Sequence, residues 1–154
     1  MSVTDPFLTD DAASMEDAPI IFAMAKDLID TYEDVETIAY EKVIAWVFDK
    51  ICQNITDYRC VFKDGVKVGY YRMIPGVTET ELDDLYILPE FQGQGIGTAV
   101  LRNCMEATHK PLFLYVFKRN LGAIKLYLRM GFSISEEVGN TRYILRREVD
   151  RPLA

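Results

Sequence analysis

The sequence predicts a mixed α/β domain, and three observations carry that expectation. Apolar residues recur at helical spacing through the first third of the chain. The period then changes to that of strands and hairpins. Finally, an apolar strand runs into a glycine-rich loop that opens directly into another helical pattern.

Residues 16–33 set Ile20, Ile21, Met24, Leu28 and Ile29 on one helical face, and Val43, Ile44, Val47, Phe48 and Ile51 do the same over 38–51. Tyr58–Phe62 and Val66–Tyr71 flank Asp64-Gly65, which reads as a hairpin. A strand follows over 80–88, then the glycine loop, then a helix to about Thr108. Pro111 separates that helix from a buried-looking strand at 112–117. Asn120 suits the start of a last helix and Gly131 its end. Phe132–Glu136 and Arg142–Arg146, around Gly139-Asn140, read as a closing hairpin. A first strand is faintly suggested over Val3–Leu8. Repeats, low-complexity tracts and linkers are absent from the sequence, so a single domain over residues 1–154 is expected.

Composition narrows the function classes. Hydrophobic residues make up 49% and charged residues 27%, as in a globular protein. The net charge of −7 disfavours nucleic acid and anionic lipid as partners but suits a cationic amine. No apolar run reaches membrane-spanning length, and the acidic start is unlike a basic leader, so a cytoplasmic protein is expected. Three cysteines without metal-ligand spacing read as reduced thiols, and no metal is expected. The lone His109 reads as a helix-end surface residue, and Ser133 and Ser135 lack the elbow of a serine hydrolase.

The chemistry concentrates at Leu85-Tyr86-Ile87-Leu88-Pro89-Glu90-Phe91-Gln92-Gly93-Gln94-Gly95-Ile96-Gly97-Thr98. Glycines let the backbone turn sharply with its N–H groups uncovered, and the following helix adds unpaired amides and a positive dipole end. Together these make a socket for phosphate or pyrophosphate. The dinucleotide fingerprint fails because Thr98 stands where its third glycine belongs. A triphosphate loop fails because no lysine lies between Lys67 and Lys110.

What remains, Gln92-x-x-Gly95-x-Gly97, resembles the acyl-CoA pyrophosphate loop of the GNAT (Gcn5-related) N-acetyltransferases. A second block, Asn120-x-x-Ala123-x-x-x-Tyr127-x-x-x-Gly131-Phe132, matches the same family some 28 residues later, and the element order resembles its fold over about residues 16–147. The resemblance implies a GNAT acyl-CoA N-acyltransferase fold, a central mixed sheet flanked by helices. It implies an enzyme that moves an acetyl group from acetyl-CoA to a primary amine of a small molecule or protein, by direct attack. It implies the pantetheine arm along Leu85, Tyr86 and Ile87, the pyrophosphate on amides from Gly93 through Gln94, Gly95, Ile96 and Gly97 to Thr98, Gln92 bracing the turn, and Asn120, Ala123 and Tyr127 at the cofactor. Tyr127 is the implied general acid. The phase shift of apolar positions 82, 85 and 87 fits a bulge in the cofactor strand.

For the general base, Glu81 resembles the glutamate of one branch of the family, while Tyr115 stands where another branch has its glutamate. Asp83, Asp84 and a water chain are the alternatives. By the same resemblance, roughly Thr31–Tyr40 and Val138–Tyr143 build the acceptor pocket, with Tyr32, Glu33, Asp34, Glu36 and Tyr40 suited to a cation. Arg142, Arg146, Arg147 and Arg151 form a basic end that reads as strand decoration, with contact to anionic cofactor groups as the alternative. A non-catalytic CoA-binding module and a longer acyl donor are the competing readings, and monomer and homodimer both stay open.

Overall fold

The computed structural model describes residues 8–36 and 38–149. Seven strands form one mixed sheet: β1 (Leu8–Ala12), β2 (Arg59–Lys63), β3 (Val66–Pro75), β4 (Thr80–Ile87), β5 (Leu112–Phe117), β6 (Ser133–Val138) and β7 (Arg142–Arg147). Their spatial order is β1-β2-β3-β4-β5-β7-β6. All neighbours are antiparallel except β4 and β5, which the helix α3 (Ile96–Ala107) connects as a parallel pair. The remaining helices are α1 (Ala18–Tyr32), α2 (Tyr40–Gln53) and α4 (Leu121–Arg129). The mixed α/β class expected from the sequence is the one observed.

Each face of the sheet carries its own core. Ala18, Ile21 and Ala25 of α1 and Ile51 of α2 pack on Tyr58, Cys60, Tyr70 and Tyr86. On the opposite face Ile96, Val100, Leu101 and Cys104 of α3 and Ile124 of α4 pack on Leu82, Leu112, Leu114, Val116 and Leu145. Strand alternation therefore sends Tyr86 to one layer and Leu85 and Ile87 to the other.

Asp17, nearly fully buried ahead of α1, ties the first layer to the sheet. Its carboxylate accepts from the Ser14 amide (2.9 Å), the Lys67 ammonium (2.7 Å) and the Tyr70 hydroxyl (2.7 Å). Burial works against the ionised form, but these donors outweigh it and hold the group down at about 2.

The first strand differs from the sequence expectation. Of Val3–Leu8, all but Leu8 lie outside the described residues, and the observed β1 continues to Ala12 through Thr9, Asp10 and Asp11. Its side chains are largely exposed at the sheet edge, so no apolar alternation announces it. The strand expected at 66–71 is longer, running to Pro75.

Candidate active site

Two devices shape the site, and both belong to β4. The first is a parting of strands. β4 and β5 are in register only at Thr80↔Leu112 and Glu81↔Phe113; beyond these pairs they separate. The C-terminal half of β4 keeps β3 as a partner, and β5 keeps β7. The second is a bulge. Partners across β3 and β4 run Arg72↔Asp84 and then Met73↔Leu82, so Asp83 has no opposite residue. That extra residue turns Asp83 and Asp84 to the α1/α2 face together and accounts for the apolar phase shift at 82, 85 and 87.

A cavity of about 710 Å³ occupies the gap. Leu85, Tyr86 and Ile87 of β4, Leu114, Tyr115, Val116 and Phe117 of β5, Gln92, Asn120, Ala123 and Tyr127 line one end. Ile20, Ala23, Met24, Asp27 and Leu28 of α1, Trp46, Val47 and Lys50 of α2, Tyr58 and Arg142 line the other. Of the residues expected at the acceptor pocket, Arg142 lines the cavity, whereas Tyr32, Glu33, Asp34, Glu36 and Tyr40 are not among its lining residues. Tyr32 stacks on Phe117 (6.2 Å), and the Tyr40 hydroxyl donates to Asp30. The wall is built from the bodies of α1 and α2 more than from their connecting loop.

The glycine loop stands at the rim. Gly93 and Gly95 hold φ of 78° and 79°, the left-handed region that a side chain disfavours, and Gly95 is the residue from which α3 starts. From Gly93 to Thr98, no backbone N–H makes a hydrogen bond to a turn or cap partner among the described residues; the next to do so is Ala99, to the Gly95 carbonyl. Six consecutive amides are thus available, three of them in the first turn of a helix. The Gln92 side chain donates to the Ile87 carbonyl at 3.0 Å, closing the turn. Asn120 caps α4, its Oδ1 accepting from the Ala123 amide at 3.3 Å.

Tyr127 packs edge-on against Phe132 (5.6 Å). Its hydroxyl makes no hydrogen bond to the described residues and faces the cavity. Burial pushes its pKa up to about 12, with the Cys104 and Asp84 charges adding to the rise. The group therefore stays protonated at neutral pH and keeps its hydroxyl proton available to a charge that develops in the cavity.

The acidic residues of β4 divide. Glu81 sits where β4 and β5 are still joined and is not among the cavity-lining residues; burial and the Asp83 charge raise its pKa. Asp83 is neutralised by Lys50 at 3.1 Å and Arg72 at 2.9 Å. Asp84 lines the cavity, where it accepts from the Tyr58 hydroxyl at 2.5 Å and the Tyr86 hydroxyl at 2.7 Å. Sequence reasoning missed Tyr58 and Lys50: neither belongs to a motif, and only the packing of α2 and the start of β2 over the bulge brings them there. Among the described residues no group of three or more His, Cys, Asp or Glu side chains is placed to hold a metal ion.

An anion-ready loop thus stands at the mouth of a gap between two parting parallel strands, in a mixed α/β fold shared with known proteins. The acetyltransferase (GNAT) family profile matches residues 21–132, and the chain belongs to that family. The chain is 34% identical over 71 residues to an uncharacterized N-acetyltransferase of Methanocaldococcus jannaschii, covering 44% of this chain and 31% of the relative. It is 29% identical over 106 residues to the spermidine N(1)-acetyltransferase of Escherichia coli K12, covering 64% and 57%. The chain thus spans between about a third and three fifths of the length of these curated relatives. Its fold superposes on the PaiA N-acetyltransferase of Thermoplasma acidophilum in complex with coenzyme A, with a TM-score of 0.70 at 19% identity, covering 92% of this chain and 98% of the other.

Proposed function

We propose that this chain is an acetyl-CoA-dependent N-acetyltransferase whose single domain moves an acetyl group to a primary amine by direct attack. The observation that carries the reading is the run of six unpaired amides from Gly93 to Thr98 at the mouth of the gap between β4 and β5. These residues fit the donor: the amides receive a pyrophosphate, and the backbone edge of Leu85 and Tyr86, which β5 no longer pairs, receives an extended amide-bearing arm beside Ile87, whose carbonyl is held by Gln92. Asn120 and Ala123 line the far side of that arm's path. Acetyl-CoA supplies the acyl carbon and a thiolate leaving group; the protein supplies position and protons. Tyr127, protonated and with its hydroxyl open to the cavity, gives a proton to the departing sulfur. A neutral amine entering from the α1/α2 end supplies the electron pair that forms the new C–N bond as the C–S bond breaks.

The acceptor end carries the carboxylates of Asp27 and Asp84 and the exposed ring of Trp46, which suit an amine. Relatives named for spermine and spermidine put polyamines first in a test panel. The test is thiol release from acetyl-CoA with that panel, together with calorimetric titration of coenzyme A. Binding without thiol release from any amine would make this a non-catalytic CoA-binding module. Gly95→Asp places a side chain and a negative charge at the socket, so the folded variant is expected to lose coenzyme A binding. Unchanged affinity would remove the socket from the reading.

A further inference from the structure

Acetyl transfer to an amine leaves one requirement unmet by Tyr127: the ammonium form has no lone pair and must first lose a proton. The base has to touch the acceptor end of the cavity, be ionised while ready, and bind a proton reversibly near neutral pH. Glu81 does not line the cavity, and Asp83 is held by two cations, Lys50 and Arg72. We propose that Asp84, clamped by the hydroxyls of Tyr58 and Tyr86 on the cavity wall, accepts the proton of the acceptor ammonium, with Tyr58 as its positioning residue. The proposal rests on the acetyl-transfer reading above and adds to it the group that activates the nucleophile.

The geometry follows from the bulge. Without the extra residue at Asp83, strand alternation would send Asp84 to the α3/α4 core, away from the acceptor. With it, Asp84 shares the α1/α2 face with Tyr86, its i+2 neighbour, and meets Tyr58 at the entry to β2. Both hydroxyls donate, which leaves the remaining acceptor capacity of the carboxylate for an ammonium.

The charged and titratable groups around Asp84 are Tyr58 ahead of β2, Lys50 of α2, Asp83 and Tyr86 of β4 and Tyr127 of α4, with Asp27 of α1 on the same cavity and Arg72 of β3 paired to Asp83 and Asp57. Burial pushes Asp84 up to about 6 and the Asp83 charge adds to the rise, while the two tyrosine hydroxyls and Lys50 pull it back. Asp84 also raises the pKa of Tyr127, so base and acid act on one another electrostatically within the same cavity.

The proton ledger closes. Asp84 takes one proton from the ammonium, and the freed lone pair forms the C–N bond. The C–S pair leaves on sulfur, which Tyr127 protonates. The second nitrogen proton restores Tyr127, and Asp84 releases its proton to solvent through the cavity mouth.

The test combines kinetics with a titration that needs no turnover. In the wild-type protein with no ligand added, carbon-detected NMR of the carboxyl groups is expected to show Asp84 titrating well above the ordinary aspartate range. In Tyr58→Phe, the loss of a donor to the ionised form moves that titration up by about one unit. The acid limb of kcat/KM moves with it, whatever the amine used, while coenzyme A affinity stays the same. Asp84→Asn is expected to lose at least about 100-fold in kcat with coenzyme A affinity retained. Asp84 titrating in the ordinary range, or an Asp84→Asn variant with wild-type rate and acid limb, overturns the proposal. So does a Glu81→Gln variant that loses the limb while Asp84→Asn keeps it. If wild type acetylates no amine, the acetyl-transfer reading falls and the proposal with it; if wild type turns over and only the Asp84 predictions fail, the reading stands without this base.

Discussion

Asp17 and Asp84 are both inward-facing carboxylates, yet their surroundings push them in opposite directions. Asp17 has a lysine, a backbone amide and a tyrosine hydroxyl as donors and is held at about 2, below its ordinary 3.8. A depressed folded value means stability that is present above 3.8 and lost as pH falls through about 2. The difference is worth about 2 kcal/mol, and Asp17→Asn is expected to cost at least that at pH 7 in denaturant melts, with a smaller cost at pH 2. Asp84 is raised, so the fold favours its protonated form. Its contribution is present below 3.8 and lost as pH rises through about 6. Asp84→Asn is therefore expected to gain on the order of 1–2 kcal/mol at pH 8 and little at pH 4, a gain that disappears only if the site's charge costs nothing. A carboxylate that weakens the fold while lining a cavity is one that the fold itself does not explain. Tyr127→Phe keeps the ring against Phe132 and removes only the hydroxyl. Turnover should fall about 10²–10⁴-fold with acetyl-CoA affinity retained, and a rate within twofold of wild type would assign the sulfur proton to water.

At the scale of elements, β4 does most of the positioning, and its pairing with β3 depends on a close approach. Gly69 lies opposite Ile87, and a Cβ there would meet the Tyr86 carbonyl oxygen well inside contact distance. Gly69→Ala should push β3 from the C-terminal half of β4, lowering stability by about 1–3 kcal/mol and weakening coenzyme A binding. A variant as stable as wild type, with unchanged affinity, would show that β4 does not need this register. The elements were largely legible in the sequence because each carried its own periodicity: α1, α2, α3, β5 and the β6–β7 hairpin appear within a few residues of expectation. The glycine loop and the Asn120 block were legible because turns and caps demand particular residue types. The edge strand β1 was not, since its polar Thr9-Asp10-Asp11 has no buried face to write a pattern. Nor was the Tyr58–Asp84 pair, whose members stand 26 residues apart and meet only because a bulge reverses the phase of one strand. The bulge could be read from positions 82, 85 and 87; the partner across it could not.

The whole molecule is a sheet split along one seam. β1–β4 with α1 and α2 form one side, β5–β7 with α4 the other, and α3 packs on both through Leu82 and Leu114. Direct pairing across the seam is confined to Thr80↔Leu112 and Glu81↔Phe113, with the Thr80 amide also donating to the Pro111 carbonyl. Past that point, the backbone edges of Leu85–Ile87 and Leu114–Val116 face a cavity instead of each other, so local opening along the seam costs few hydrogen bonds. A ligand arm lying in the gap would supply the missing pairs to both sides at once and would stabilise the fold by mass action as its concentration exceeds its Kd. Saturating coenzyme A should therefore slow amide exchange at residues 85–87 and 114–116 and in the Gly93–Thr98 loop. The β1–β2 edge, remote from the seam, should change little. The melting temperature should rise with ligand concentration in the same titration. Protection confined to the glycine loop, with the strands unchanged, would mean that the pyrophosphate docks but the arm does not enter the seam. Protection on neither would show that the parted strands do not receive this ligand.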